Sequence, residues 1–316
     1  GTFDNTHTFQ ACALNHSAIS PFFKYTNLII LKLHLLYLTL FLLPKQKILN
    51  MKIFCISIYN ENYSFFKKNN LIPVGLGSDS FNSNWINDKF ENDISDKNKN
   101  FGEYTFHYKL WKNGLLNNDY SDWTGFCSYR RFWVKKNSLV TNIEDLNNAI
   151  LREVPDEWSQ YGCILPEPIK LRKEKTMKLL KNNLKSIFLK PSLLFNKCTI
   201  RDHFNLNHGA FFLDEAIKLL EEKEKVKFSK YLEQYEFNPH NLFICKDAHL
   251  LKLFYNNIFN WLFKCENIFQ KLNLNTYGKK RIYGFLAERY LPFWFKNNTK
   301  TLSWPYVFFD TNKLIK

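Results

Sequence analysis

From Met51 onward, short apolar runs alternate with longer segments of helical period, and this alternation most restricts what the chain can fold into. "KIFCISIY", "LIPVGLG", "WTGFCSYRRFWV", "YGCILPEPI" and "PHNLFICK" have the length and apolar content of strands. Interleaved with them are "NFGEYTFHYKLWKNGLL", "IEDLNNAILREV" and "FLDEAIKLLEEKEKVKFSKYLEQY". "AHLLKLFYNNIFNWLFKCENIFQKL" and "KRIYGFLAERYLPFWF" close the chain, all with helical spacing. Strands separated by helices predict an α/β fold: a sheet of mostly parallel strands flanked by helices, with a helical C-terminal part. No internal repeat or flexible linker divides residues 51–316, which are expected to form a single domain.

Residues 1–50 differ in texture. "LIILKLHLLYLTLFLL", Leu28 to Leu43, is interrupted by Lys32 and His34 and falls short of the roughly 20 residues that a spanning helix needs. The expectation is an N-terminal extension, either preceding the native start at Met51 or acting as a weak membrane anchor.

The formal net charge of +15 invites a polyanion-binding reading, nucleic acid or anionic lipid, because a basic face attracts polyanions through counterion release. The lysines are nevertheless spread along the chain and form no dense block, which disfavours nucleic acid. The seven cysteines include no CxxC pair, which argues against a zinc cage and a disulfide framework and fits a cytoplasmic setting. A Walker loop, a nucleophile elbow and an HExxH motif are all missing, and "GLGSDS" lacks the third glycine of a dinucleotide fingerprint. No D-x-D triplet occurs, so no metal ligand is assigned and the need for a divalent ion stays open.

Charged residues at core positions supply the candidates. On the helix of "GEYTFHYKLWKN", Glu103 and His107 stand four residues apart in the middle of the apolar arc containing Tyr104, Phe106, Leu110 and Trp111. Burying a carboxylate costs on the order of several kcal/mol unless it is paired. Glu103 and His107 are therefore either a satisfied core pair or catalytic groups. Arg130 and Arg131 should point to opposite faces of their strand, where a guanidinium suits a diphosphate or a buried carboxylate. Arg289, with Glu288 beside it, is a charge inside an apolar helical stripe that Pro292 should end or kink. A buried ionic cluster shared by the early helix, the arginine strand and the late helix follows as an expectation. Asp202 and His203 offer an Asp–His dyad for general-base work at the substrate. His240 and Asn241 open a short strand.

These residues fall in blocks whose order resembles a bacterial family long filed as a domain of unknown function. Its members occur in capsular and surface polysaccharide clusters and are regarded as glycosyltransferases. The blocks are "DISDKN", "GEYTFHYKLWKN", "DWTGFCSYRRFW", "HNLFICK" and "RIYGFLAERYL". Carried over residue by residue, the pattern falls on Ser95, Lys97, Asn98, Glu103, Thr105, Trp111, Lys112, Asn113, Tyr129, Arg130, Arg131, Asn241, Glu288 and Arg289. Two positions depart from it: Ser128 stands where the family has histidine, and Asp93 where it has asparagine. The resemblance implies a fold similar to the GT-A type, a nucleotide-sugar donor as substrate, and transfer of a hexosyl unit to a growing glycan or lipid-linked acceptor. Peripheral association with the cytoplasmic face of a membrane would suit such an acceptor. In this reading Arg130 or Arg131 neutralises the leaving diphosphate, and Glu103 or Asp202 takes the acceptor's proton. Two other readings stand beside it: a polyanion-binding protein, motivated by the charge, and an inactive family member, motivated by Ser128.

Overall fold

The structure, a computed structural model, describes Lys32 and residues 50–77, 80–114, 123–171, 198–276 and 278–311. From Asn50 on, the described residues belong to one compact unit, Leu49–Lys316. The expectations for residues 1–50 fall outside the described residues, apart from Lys32 and Asn50. In chain order the elements are β1 (Met51–Ser57), α1 (Tyr63–Lys68), β2 (Ile72–Gly75), α2 (Asn98–Phe101), α3 (Tyr104–Lys112), β3 (Trp123–Ser128) and β4 (Arg131–Trp133). There follow α4 (Ile143–Ala149), β5 (Cys163–Pro166), β6 (Ile169–Lys170), α5 (Ile200–His208), α6 (Ala210–Lys218) and α7 (Glu222–Leu232). The last are β7 (Glu236–Phe237), β8 (Phe243–Cys245), α8 (Ala248–Phe269), α9 (Ile282–Asn298), β9 (Thr301–Trp304) and β10 (Tyr306–Phe308).

The main sheet runs β2-β1-β3-β8-β5-β9. Its β2, β1, β3, β5 and β9 point one way, and β8 runs against its neighbours β3 and β5. The mostly parallel α/β sheet predicted by the alternation is thus the observed architecture. Side chains alternate across it. Trp123 and Cys127 of β3 and Ile244 of β8 enter one layer, packed with α1, α4 and Trp158. Phe126 of β3 with Phe243 and Cys245 of β8 enters the other, beneath α3 and the helices α5–α9. Burial on both faces is why these strands read as continuous apolar runs.

Local chemistry sets several helix starts. The Asn142 side chain accepts from the N–H groups of Glu144 and Asp145 at α4, Asp247 caps α8 through the Leu250 N–H, and Thr199 and Asp202 form a reciprocal capping box at α5.

The tertiary structure corrects three local expectations. The helix expected over "NFGEYTFHYKLWKNGLL" is two, because Gly102 lies between them at φ 59°, ψ −135°, a region that only glycine enters without strain. "WTGFCSYRRFWV" is two strands joined at Tyr129–Arg130, with Ser128 paired to Arg131. The helical segment from Phe212 to Tyr235 breaks into α6 and α7, with Glu221 extended at the joint. Of the two outcomes expected at Pro292, an end or a kink, the end does not occur: α9 continues to Asn298.

Candidate active site

A cleft of about 370 Å³ opens at the carboxyl ends of β1 and β3, where open α/β sheets bind ligands. Ile56, Ser128, Tyr129, Arg130 and Arg131 line it from the strand ends, Glu103 from the start of α3, and His240 and Asn241 from the approach to β8. Arg281, Phe285 and Glu288 complete it from α9 and the turn before it.

The arginines reach the cleft because β3 turns back sharply into β4. That turn is pinned from three sides. The Tyr129 N–H donates to the Ile56 carbonyl at 2.9 Å, the Phe309 N–H donates to the Arg130 carbonyl at 3.0 Å, and the Thr311 hydroxyl donates to the Tyr129 carbonyl at 3.0 Å. The expectation of opposite faces is therefore corrected: a two-residue turn replaces strand alternation, and both arginines line one cleft. Arg130 stacks on the Tyr129 ring and faces Asp310 at 3.5 Å. Arg131 stands over the Phe308 ring, 5.6 Å from its centroid, and no described carboxylate forms an ion pair with it.

Two carboxylates share the cleft. Glu103 is placed by the break at Gly102. The Asn98 amide donates to the Gly102 carbonyl at 3.0 Å and to the Thr105 hydroxyl at 3.1 Å, which fixes how α3 begins. Glu103 Oε1 accepts from the Asn241 amide at 2.8 Å, and Oε2 accepts from Arg281. Glu288 Oε1 accepts the His240 N–H at 2.7 Å, and Oε2 accepts from Arg289. Burial would raise the Glu288 carboxyl, but the Arg289 guanidinium and His240, including its N–H, hold it below the usual carboxylate range. His240 and Asn241 both have positive φ, 74° and 53°. Two consecutive non-glycine residues in the left-handed region mark stored strain of the kind found at ligand sites. This turn joins the two carboxylates: the His240 backbone binds Glu288 and the Asn241 side chain binds Glu103.

The expected ionic cluster thus exists with different members. It draws on the start of α3, the turn before β8, and α9 with the residue before it, while Arg130 pairs with Asp310 and not with Glu103. Arg289 lies behind the cleft, its side chain 2% exposed, with Nη2 3.0 Å from His203 Nδ1 and its guanidinium over Phe237 and Phe204.

Other candidates lie elsewhere. His107 does not line the cleft. It is fully buried among Phe126, Phe243 and Tyr104, with Nδ1 2.7 Å from the Tyr255 hydroxyl, and burial pushes its pKa down to about 3. It is a neutral core histidine. Asp202 is occupied at the α5 cap, accepting from the Thr199 hydroxyl at 2.9 Å, and His203 points to Arg289, so neither lines the cleft. Lys97 pairs with Glu266 at 2.9 Å, and the Ser95 N–H binds Asp93, so the "DISDKN" block builds the approach to α3 and adds no cleft-lining group. Reading by block missed Arg281, which opens "RIYGFLAERYL" as a cation directly before the buried Ile282, and Asp310, for which no local signal exists.

The buried neutral histidines carry a prediction. Burial, with Arg289 nearby, also pushes His208 down to about 3. Below about 6.5 the unfolded chain protonates these rings while the folded one does not, so unfolding is favoured as pH falls from about 6.5 to about 3. Urea denaturation of the wild type should show stability dropping across that window. His107→Gln should make the slope shallower, and an unchanged slope would remove His107 from the account.

Among the described residues no group of three or more His, Cys, Asp or Glu is arranged to hold a metal, and no helix is long and apolar enough to cross a membrane. The described residues therefore define an α/β fold with an arginine- and carboxylate-lined cleft at the strand ends. Residues 53–299 match the family described as Domain of unknown function (DUF4422), and the chain belongs to that family. Its fold is similar to the apo structure of the bifunctional glycosyltransferase WbbM, with a TM-score of 0.56 and 16% identity over 82% of this chain. The match spans 45% of that longer chain, and at this identity the likeness speaks for the fold alone. No curated protein matches the sequence.

Proposed function

We propose that the chain transfers a sugar from a nucleotide sugar to a hydroxyl of a growing surface or capsular glycan. The observation that carries this reading is Arg131. It is a cation held on a pinned turn at the strand ends, without an acidic partner among the described residues, in one cleft with two hydrogen-bonded carboxylates. An unpaired guanidinium at this place suits the oxygens of a diphosphate, whose charge grows as the sugar leaves. Arg130 adds a second cation, shared with Asp310. Family membership and the likeness to a glycosyltransferase fold support the same reading.

The chemistry follows from these positions. The acceptor oxygen attacks the anomeric carbon, the bond to the diphosphate breaks with its electron pair, and the acceptor's proton needs a base. Glu103 is the base of choice because it lines the cleft and its cation is partly exposed. Glu288 is bound to a buried arginine that holds its carboxyl below the usual range, which suits it poorly to taking a proton. Ile58 and Phe308, both exposed at the cleft, offer apolar faces beside the charges. Donor binding at the cytoplasmic face, with a lipid-linked acceptor, belongs to this proposal.

The test is a thermal-shift screen of the full chain against nucleoside diphosphates, followed by turnover of the matching nucleotide sugars. One nucleotide family should raise the melting temperature by about 3 °C or more, which for a chain of this size reflects about 2 kcal/mol of linkage. Silence from every nucleotide would overturn the proposal.

A further inference from the structure

The two cleft carboxylates are held alike, each by one neutral donor and one arginine, but their arginines differ in freedom. Arg289 is 2% exposed and enclosed by Phe204 and Phe237, so Glu288 keeps its cation in every state of the site. Arg281 is 53% exposed and precedes the first residue of α9, so its side chain leaves from a turn and not from a packed helix face. It lies across Gly102, where a Cβ would collide with the guanidinium. Glu103 itself is mostly buried, at 19%, and its other oxygen stays bound to Asn241. One oxygen is thus fixed by a neutral group inside the protein, and the other is covered by a cation that can turn toward the cleft.

We propose that Arg281 is an exchangeable partner. It neutralises Glu103 in the empty cleft and passes to the diphosphate when the donor binds. This inference rests on the diphosphate reading given above. A diphosphate brings at least two negative charges and several coplanar oxygen pairs, against the single charge of Glu103, and guanidinium binds both kinds of oxygen in the same bidentate way. The exchange does two things at once. It adds a third cation to Arg130 and Arg131 at the leaving group, and it strips Glu103 Oε2 of its cationic cover. Asn241 meanwhile keeps the carboxylate aimed through Oε1. In the transfer step the acceptor O–H breaks and its oxygen bonds to the anomeric carbon. The anomeric C–O bond breaks with its pair on the diphosphate, and the proton ends on Glu103 Oε2. The base is thereby uncovered only when a leaving group is present to occupy Arg281.

The exchange makes Glu103 and the diphosphate competitors for one cation, and a double-mutant cycle reads that competition directly. Binding of inorganic pyrophosphate to the full chain is measured by calorimetry for the wild type, Glu103→Gln, Arg281→Ala and the double variant. Glu103→Gln should bind about tenfold tighter, since it releases Arg281, and Arg281→Ala about tenfold weaker, each on the order of 1.4 kcal/mol. In the double variant the gain from Glu103→Gln should vanish, leaving affinity within about twofold of Arg281→Ala. If the gain persists without Arg281, Glu103 acts only by repelling anions and the exchange is overturned. If Arg281→Ala binds as well as the wild type, Arg281 is a fixed structural partner and the exchange is equally overturned. Arg281→Gln, which keeps a hydrogen-bonding side chain without the charge, repeats the measurement should the alanine variant be unstable. Pyrophosphate binding to none of the proteins would remove the diphosphate reading and the exchange with it, whereas the two failures above leave that reading standing.

Discussion

Replacing Arg131 with alanine will lower kcat/KM for the proposed sugar transfer by about 10²–10³, the usual cost of deleting one preorganised group that meets charge developing in a transition state. The fold should survive, because Arg131 is partly exposed and its contact is with the exposed Phe308 ring, so the change in unfolding free energy should stay within about 0.5 kcal/mol. Arg131→Lys should recover only part of the rate. The ammonium restores the charge but not the planar pair of donors. Arg130→Ala is the informative comparison. It removes a cation already shared with Asp310, and the loss should be smaller. Steady-state kinetics with the nucleotide sugar found by thermal shift decides the matter. Equal, small losses at both positions would place the leaving group elsewhere in the cleft.

Arg289→Ala will destabilise the protein by about 3–5 kcal/mol, measured as the shift in urea unfolding at constant m-value, because it leaves the Glu288 carboxylate buried without its cation. Arg289 is 2% exposed, and the aromatic rings of Phe204 and Phe237 flank the guanidinium, so no water can take its place without opening the layer between α5 and α9. The effect carries a pH signature. The folded Glu288 is held below its ordinary value of 4.5, so in the wild type its contribution is present above that value and is lost as pH falls through the depressed folded one. The Arg289→Ala variant should lack that acid-side loss and lie closest to the wild type at low pH. A destabilisation under about 1 kcal/mol at neutral pH would show that Glu288 finds another partner, and His240, 3.8 Å away, is the first to examine.

Much of the architecture was legible in the order of apolar runs. β2, β3, β5 and β8 lie within the runs read as strands and β1 starts one residue before its run, at Met51; α8 lies within its closing helical segment, and α9 continues past Phe295 to Asn298. Periodicity found these because burial on both faces of a sheet and on one stripe of a helix leaves a direct trace in residue order. It failed where a single backbone angle interrupts a pattern of unchanged composition. Gly102 at φ 59° splits a helix whose apolar arc runs through it, and the Tyr129–Arg130 turn folds back a run that alternates like one strand.

The site was legible in part. Charge placement points to Glu103, Arg130 and Arg131, the family pattern adds Tyr129, Asn241 and Glu288, and all six line one cleft. His107 and Arg289 were named by the same rule, charge or polarity at a core position, yet one is a neutral ring in an aromatic nest and the other a buried counter-ion. The rule detects polar groups that are taken out of water. It cannot say whether they face a core or a cleft, since both environments exclude solvent in the same way.

Residue order alone therefore determined the α/β class, the helical layer built from the C-terminal half, and a short set of charged residues that had to be paired or in use. Tertiary structure decided the pairings. Arg281 meets Glu103 across 178 residues, the His240–Asn241 turn ties Glu103 to Glu288, and Arg130 turns to Asp310. Local periodicity reports which side of an element avoids water. The choice of a partner for a charge depends on distances between elements far apart in the chain, and those exist only once the sheet has closed its register.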